Sequence, residues 1–164
     1  MRVMAISGAL VLAVVSSFWA GDAPQGLVGS WRLVSYEDRP AAGPPVFPYG
    51  TEPKGFLVYD ATGHMAIQVM KQPHPKVASG DGHRVTPQEK EALLDAYAAY
   101  FGTYRVDAAR GIVVHHAEGD LYDLFVGRDE ERPFELSGDR LVLKPLWSQD
   151  SQKWSGIRVF ERVK

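Results

Sequence analysis

Apolar and polar residues alternate along most of the chain from Leu27 onward, in short runs separated by turn residues. Alternation with a period of two puts successive side chains on opposite faces, which is typical of half-buried β-strands. Short turns containing Gly join several of these runs, at residues 61–63, 108–111 and 137–139. The predicted strands cover residues 30–37, 55–60, 64–70, 103–107, 112–118, 121–127, 132–136, 140–146 and 157–163.

One helix interrupts the strands, and its start is the clearest helix signal in the chain. Thr86 is suited to the N-cap, Pro87 to the first helical position, and Glu89 completes a capping box. Apolar residues then recur at helical spacing, so the helix is predicted to end only at Gly102. These apolar residues are Leu93, Leu94, Tyr97, Tyr100 and Phe101.

The order of these elements predicts a mainly β fold. One helix is too little for an α/β fold, in which helical crossovers connect parallel strands. Residues 40–54 and 71–84 are crowded with Pro and Gly and are predicted to be surface loops. We therefore expect an up-and-down antiparallel β-barrel of eight or nine strands with one inserted α-helix, since closure removes exposed sheet edges.

The N-terminal residues differ from this pattern. Met1 and Arg2 begin the chain with a positive charge, and residues 3–20 form an uncharged apolar run. This arrangement predicts a signal peptide over residues 1–20 and therefore an exported protein, periplasmic or secreted. The run also approaches the length of a membrane span, so an uncleaved N-terminal anchor stays an alternative. Residues 21–26 are a predicted linker and residues 27–164 the barrel domain.

Composition excludes several classes of function. The formal net charge of -2 gives no basic field for nucleic acid, so we expect no nucleic-acid partner and membrane contact only through residues 1–20. The chain has no cysteine, which excludes disulfides, thiolate catalysis, zinc-cysteine sites and iron-sulfur clusters. Residues 129–132 carry four charges and are predicted to form a solvated hairpin end. We expect no bound cofactor.

Several stretches resemble the bacterial and fungal lipocalin-like domain family. They are G-S-W-R-L-V-S-Y-E, P-K-G-F-L-V-Y-D-A-T-G-H-M, A-A-Y-F-G-T-Y-R-V-D, V-H-H-A-E-G and F-E-L-S-G-D-R-L-V-L. The resemblance implies a lipocalin-like, calycin-type barrel over essentially the whole domain. It also implies that Trp31 lies near the barrel floor under a basic side chain of the closing strand, Arg158 or Arg162. Residues 123–127 depart from the family pattern.

The adjacent histidines His115 and His116 must face opposite sides of their strand. Val113, His115 and Ala117 form the more apolar face, so His115 is predicted to point inward and His116 outward. The same parity argument applied to the other strands gives an apolar lining with a few hydroxyls, which is the makeup of a small-molecule site. The predicted ligand-binding residues are Trp31, Leu33, Ser35, Tyr59, Met65, Ile67, Val69, Tyr104, Val113 and His115.

This lining supports more than one function. The leading hypothesis is an exported protein that binds a small apolar or amphipathic molecule in the barrel, with His115, Tyr104 and Tyr59 at its polar end. The alternative is a cofactor-free barrel enzyme, an isomerase, cyclase or dehydratase, in which His115 is the acid/base group and Tyr104 assists. A barrel filled by its own side chains is a third possibility.

Metal and hydrolytic sites have little support in the sequence. The five histidines show no H-x-H, H-E-x-x-H or three-histidine spacing, so no metal site is predicted. A composite site at His74 and His83, or a haem held by His115, stays an alternative. The chain also lacks the G-x-S-x-G motif of a nucleophile elbow.

Overall fold

Antiparallel strands form most of the fold in the computed structural model, which describes residues 26–164. Helix α1 (Pro87–Asp95) and a short 3-10 helix at Gly82–Arg84 lie between the third and fourth strands. The predicted signal segment, residues 1–20, and residues 21–25 of the predicted linker lie outside the described residues. The strands are β1 (Gly29–Pro40), β2 (Lys54–Tyr59), β3 (His64–Met70), β4 (Tyr97–Asp107), β5 (Ile112–Asp120), β6 (Asp129–Ser137), β7 (Arg140–Leu143), β8 (Leu146–Gln149) and β9 (Gln152–Arg162).

The sheet closes because β1 and β9 pair with each other. Strands β1 to β7 pair in sequence order, and β9 pairs with both β7 and β1. The closed barrel therefore has eight strands, and β8 is an additional strand that pairs with the first part of β9. This confirms the predicted up-and-down antiparallel barrel with one inserted helix.

Two local predictions are confirmed, the β2–β3 hairpin and the start of α1, and in both a polar side chain bonds the backbone. In the β2–β3 hairpin, the Asp60 carboxylate accepts the N–H groups of Thr62 at 2.8 Å and His64 at 2.9 Å. At the start of α1, the Thr86 hydroxyl accepts the N–H of Glu89 at 3.2 Å, and the Glu89 carboxylate accepts the N–H of Thr86 at 2.8 Å. These bonds satisfy donors that the turn and the helix start would otherwise leave unpaired.

The predicted end of the helix at Gly102 is wrong. Helix α1 ends at Asp95, and Tyr97, Tyr100 and Phe101 belong to β4. Every residue of β3 finds a partner in β4, from His64 opposite Thr103 to Met70 opposite Tyr97, so strand pairing satisfies this backbone. Aromatic residues three and four apart fit a helix, but Ala98, Tyr100 and Tyr104 equally fit one face of a strand.

Residues 121–127 form a loop, which also corrects the sequence analysis. The Asp120 carboxylate accepts the N–H groups of Leu124 at 2.9 Å and Phe125 at 3.2 Å, which folds the chain back on itself. Asp123 adopts a positive φ of 57°, a conformation that is incompatible with a strand. The predicted strand 140–146 likewise ends at Leu143, and β8 was not predicted as a separate strand.

Trp31 closes the floor of the barrel. Its side chain has no solvent exposure, and its indole Nε1 donates to the Leu27 carbonyl at 2.9 Å. The Arg162 guanidinium lies 4.1 Å from the centroid of the Trp31 ring, where it forms a cation–π contact. Arg162 also donates to the carbonyls of Gly26 and Val28. The expected basic cover of Trp31 is therefore Arg162, whereas Arg158 lies at the other end of the barrel.

Replacing Arg162 with methionine should destabilise the protein by about 1 to 2 kcal/mol, the combined loss of a cation–π contact and of donors to two carbonyls. The free energy of unfolding in urea measures this effect. Arg140→Met is the matched control, because Arg140 is exposed on β7 opposite Glu161 and should be worth less than about 0.5 kcal/mol. Equal losses in the two variants would show that Arg162 does not cover the floor in solution.

Candidate functional site

His115 lies at the centre of the barrel, with both ring nitrogens bonded to tyrosines. It faces inward from β5 and has no solvent exposure, as the parity argument predicted, whereas His116 is exposed. The Tyr59 hydroxyl lies 2.6 Å from Nε2 of His115, and the Tyr100 hydroxyl lies 2.7 Å from Nδ1. The imidazole thus links β2 to β4 through the interior.

The surroundings of His115 keep its imidazole neutral. Burial away from water, reinforced by the positive charge of Arg132, lowers the pKa of His115 to about 3. Burial also raises the pKa of both Tyr59 and Tyr100, so both hydroxyls stay protonated. A neutral imidazole has one donor nitrogen and one acceptor nitrogen, so one tyrosine donates to it and the other accepts from it.

The partners of the two hydroxyls are compatible with both tautomers of His115. Among residues 26–164, Tyr59 and Tyr100 each have His115 as their one side-chain hydrogen-bond partner, so one hydroxyl donates to the imidazole and the other accepts from it. The positive charge of Arg132 lies near the Tyr100 hydroxyl, where it opposes the rise in pKa that burial causes.

These bonds weaken the predicted chemistry of the interior. Both nitrogens of His115 are occupied, so neither is free for a haem iron or for proton transfer to a bound molecule. The hydroxyl of Tyr104 is also occupied, because it donates to the Asp60 carbonyl at 2.8 Å. The polar groups that were expected to hold a ligand are satisfied within the protein.

Nine of the ten predicted ligand-binding residues lie buried in the barrel interior, where most of them pack against one another in one apolar cluster. Their contact with a ligand stays a prediction. Ser35 is the exception, because a β-bulge between Leu33 and Ser35 shifts the alternation of β1 by one residue. Tyr36, opposite Arg158, takes the inward position instead. The nine buried residues are Trp31, Leu33, Tyr59, Met65, Ile67, Val69, Tyr104, Val113 and His115.

A cavity of about 410 Å³ lies at the mouth of the barrel, the end at which β1 finishes and β6 and β9 begin. Polar side chains line its base, and aromatic and apolar side chains from loop 121–128 and β8 line its rim. The lining residues are Tyr36, Asp38, Phe125, Arg128, Glu130, Arg132, Pro145, Leu146, Trp147, Ser148 and Arg158.

Comparison with known proteins places this barrel in a family. The sequence profile described as "Lipocalin-like domain" matches residues 28–162, which span the barrel from β1 to the end of β9. The chain belongs to the lipocalin-like domain family. This confirms the resemblance seen in the sequence, and a lipocalin-like barrel suggests a role in binding a small molecule. Searches of curated proteins and of solved structures gave no match.

Two ion pairs surround the base of the mouth cavity in this lipocalin-like barrel. Arg158 donates to the Asp38 carboxylate at 2.5 Å and to the Glu37 carbonyl, and its guanidinium lies 3.3 Å from the centroid of the Tyr36 ring. Burial raises the pKa of Asp38, although the charge of Arg158 opposes this shift. Arg158 is therefore fixed by its own partners.

The second pair joins neighbouring positions on the inward face of β6. Arg132 donates to the Glu130 carboxylate at 3.1 Å, and its charge lies near the hydroxyl of Tyr100. Burial opposes the charge of Arg132, but Tyr100 and Glu130 outweigh it and raise the pKa of Arg132. Arg132 therefore connects the mouth cavity to the Tyr100–His115–Tyr59 network.

The sequence analysis missed Glu130 and Arg132 as inward residues. Residues 129–132 were expected to form a solvated hairpin end, but β6 begins at Asp129. Glu130 lies opposite His115 and Arg132 opposite Val113, and paired residues of an antiparallel ladder share a face. Parity with the apolar Phe134 and Leu136 was the signal that could have placed both charges inside.

The alternative of an N-terminal anchor falls on residues 1–20, outside the described residues, and the metal alternatives fall on His74, His83 and His115. Within residues 26–164, no helix has the length and apolar character needed to cross a membrane. The same part of the chain brings together no group of three His, Cys, Asp or Glu side chains that would hold a metal ion.

Proposed function

We propose that this protein binds a small amphipathic molecule in the mouth of its barrel. The observation that carries this proposal is the mouth cavity, whose polar base and aromatic rim offer partners to both ends of such a molecule. Its volume of about 410 Å³ lies in the range of roughly 300 to 1,000 Å³ that is usual for small-molecule sites.

The position of the site differs from the deep interior that the sequence favoured. Tyr59, Tyr104 and Val113 pack in the apolar cluster below the mouth, and the polar groups there already have partners. At the mouth, Phe125 and Trp147 line the cavity, and the neighbouring Leu146 is 68 % exposed. Apolar surface that is exposed beside a cavity favours a ligand that covers it.

A binding experiment with a blocked mouth tests this proposal. Two fluorescent probes are titrated, N-phenyl-1-naphthylamine, which is neutral, and 8-anilinonaphthalene-1-sulfonate, which is anionic. Ser148→Trp places an indole at the wall of the mouth cavity and fills part of its volume. It should therefore weaken, at least tenfold, the binding of whichever probe the unmodified protein binds. Ser137→Trp is the control, because Ser137 is exposed in the β6–β7 hairpin at the opposite end.

Two results would contradict the proposal. One is that the unmodified protein binds neither probe, and the other is that Ser148→Trp and Ser137→Trp bind equally well. Native mass spectrometry of the protein from its own source, compared with the denatured sample, should also reveal a bound small molecule as additional mass.

Export is a second part of the proposal and rests on residues 1–20. The intact mass of the protein from its own source tests it directly. A mature chain that lacks about twenty N-terminal residues supports a cleaved signal peptide, because a charged start, an apolar segment and a cleavage site together occupy about that length. A full-length chain in the membrane fraction would favour the uncleaved anchor.

A further inference from the structure

We propose that the ligand of the mouth cavity carries an anionic group, such as a carboxylate, which enters first and binds between Arg128 and Arg132. Its apolar part then lies against Phe125 and Trp147, toward the opening. This inference rests on the proposed function, because it names the chemical class of the molecule that the same site binds.

The first argument is the balance of charge in the cavity. Three arginines line it, Arg128, Arg132 and Arg158, against the two carboxylates of Asp38 and Glu130, which leaves one positive charge uncompensated. Asp38 is paired with Arg158, and Glu130 is paired with Arg132. Arg128 forms no ion pair with the side chains of residues 26–164. An anionic ligand would supply the missing negative charge.

The second argument concerns the donors that each guanidinium has left. Arg158 donates to Asp38 and to two carbonyls, and it stacks on Tyr36, so its orientation is fixed. Arg132 donates to Glu130 and to the Glu131 carbonyl, both through Nη1. A guanidinium has five N–H donors in a planar fork that matches a carboxylate, so Arg132 retains donors at the cavity base.

The spacing of these residues also favours one site. Arg128, Glu130 and Arg132 occupy every second position, and all three line the cavity. Glu130 and Arg132 lie on the inward face of β6, whereas Arg128 lies at the end of loop 121–128 and is exposed at the opening. The side chain of Arg132 is 13 % exposed, so its charge is mostly removed from water. A charge-assisted hydrogen bond in such surroundings is stronger than one at an open surface.

The direction of binding follows from where the apolar residues lie. Phe125 belongs to loop 121–128, and Leu146 and Trp147 begin β8, so these side chains form the rim. Arg132 lies further along β6, opposite Val113 of the interior cluster. A molecule that entered with its apolar end first would place that end against Arg132 and Glu130, which would lose their hydration without compensation. Entry with the anionic end first avoids this cost.

Three probes that share one alkyl chain and differ in the charge of the head group test the inference: dodecanoate, dodecanol and dodecyltrimethylammonium. The affinity of each is measured by its displacement of N-phenyl-1-naphthylamine. Dodecanoate should bind about tenfold more tightly than dodecanol, as expected for one or more charge-assisted hydrogen bonds, and the cation most weakly. Arg128→Met should weaken dodecanoate binding about fivefold and leave dodecanol binding unchanged. Arg105→Met is the control, because Arg105 lies on the outside of β4 and pairs with the exposed Asp129.

Arg132→Met alone would leave Glu130 without its partner and could unfold the barrel, so it is combined with Glu130→Gln. This double variant should lose the preference for dodecanoate over dodecanol. Equal binding of the three probes to the unmodified protein would overturn the inference and leave the proposed function intact. Equal weakening by Arg105→Met and Arg128→Met would also overturn it. Failure of all three probes to bind would count against the proposed function itself.

Discussion

Replacing His115 with leucine will destabilise the barrel by about 2 to 3 kcal/mol, whereas the same change at the adjacent His116 will cost less than about 1 kcal/mol. His115 is fully buried between two tyrosine hydroxyls. His116 is exposed and its ring bonds Asp129 at 2.8 Å, with both side chains about half exposed. Urea denaturation of the two variants measures the difference.

The larger loss arises mainly from Tyr59. Without His115, the Tyr59 hydroxyl is buried with no side-chain partner among residues 26–164, whereas Tyr100 is only partly buried and lies near the charge of Arg132. An unsatisfied buried hydroxyl costs about 1 to 3 kcal/mol, and replacing both partners with apolar groups removes that cost. Tyr59→Phe should therefore recover about 1 kcal/mol in the His115→Leu protein, although it destabilises the unmodified protein.

A double-mutant cycle over His115 and Tyr59 makes the explanation testable. If the two losses simply add, the hydrogen bond between these residues does not determine the stability of the interior. Comparable losses for His115→Leu and His116→Leu would further show that the parity of β5 in solution differs from that of the structure. The midpoint and the slope of each urea curve should be reported together, because a change in slope would indicate an altered unfolded state.

The period-two pattern predicted the barrel because most strands bury one face only. Val113, His115 and Ala117 form a more apolar set than Val114, His116 and Glu118 on the other face, and so the inward direction of His115 was predictable from this stretch alone. Local signals were equally informative at the Gly-containing turn of residues 61–63 and at Thr86, because the side-chain bonds that stabilise both features are local in sequence. Local contacts of this kind are encoded in short stretches of sequence.

The errors share a physical cause, which is that partners distant in sequence decided the structure. Tyr97 to Phe101 fit a helix by spacing, but pairing with β3 decided for a strand. The bulge that turned Ser35 away from the interior depends on the register between β1 and β9. Neither effect is visible in a window of ten residues, because the pairing strand lies far along the chain.

The site was predicted less well than the fold for a related reason. Apolar parity identified the interior cluster, but the polar residues of the mouth have no apolar pattern of their own. Glu130 and Arg132 were interpreted as solvated, since charged residues are seldom buried unless they are paired. Their pairing with each other, and the position of Arg132 near Tyr100, become apparent only when β4 and β6 are placed on either side of β5.

Acidification will destabilise the protein more than its His115→Gln variant. The pKa of His115 falls from an ordinary value of 6.5 to about 3 in the folded protein, whereas the unfolded chain retains the ordinary value. Between these two values the unfolded chain binds a proton that the folded chain does not bind. The free energy of unfolding therefore decreases as the pH falls through this window. The stability that comes from keeping His115 neutral is fully present only above about pH 6.5.

The expected slope is about 1.4 kcal/mol per pH unit, which gives a loss of about 2 kcal/mol between pH 6.5 and pH 5 from His115 alone. Glutamine can donate to one tyrosine and accept from the other, but it does not titrate, so His115→Gln retains the contribution of every other group. The measurement is the difference between the urea stabilities of the two proteins at half-unit steps from pH 7 to pH 4. Parallel curves would mean that the buried imidazole becomes protonated in the folded barrel at an ordinary pKa. Water would then have to reach the Tyr59–His115–Tyr100 network from the mouth, and the interior below Arg132 would be open to a ligand.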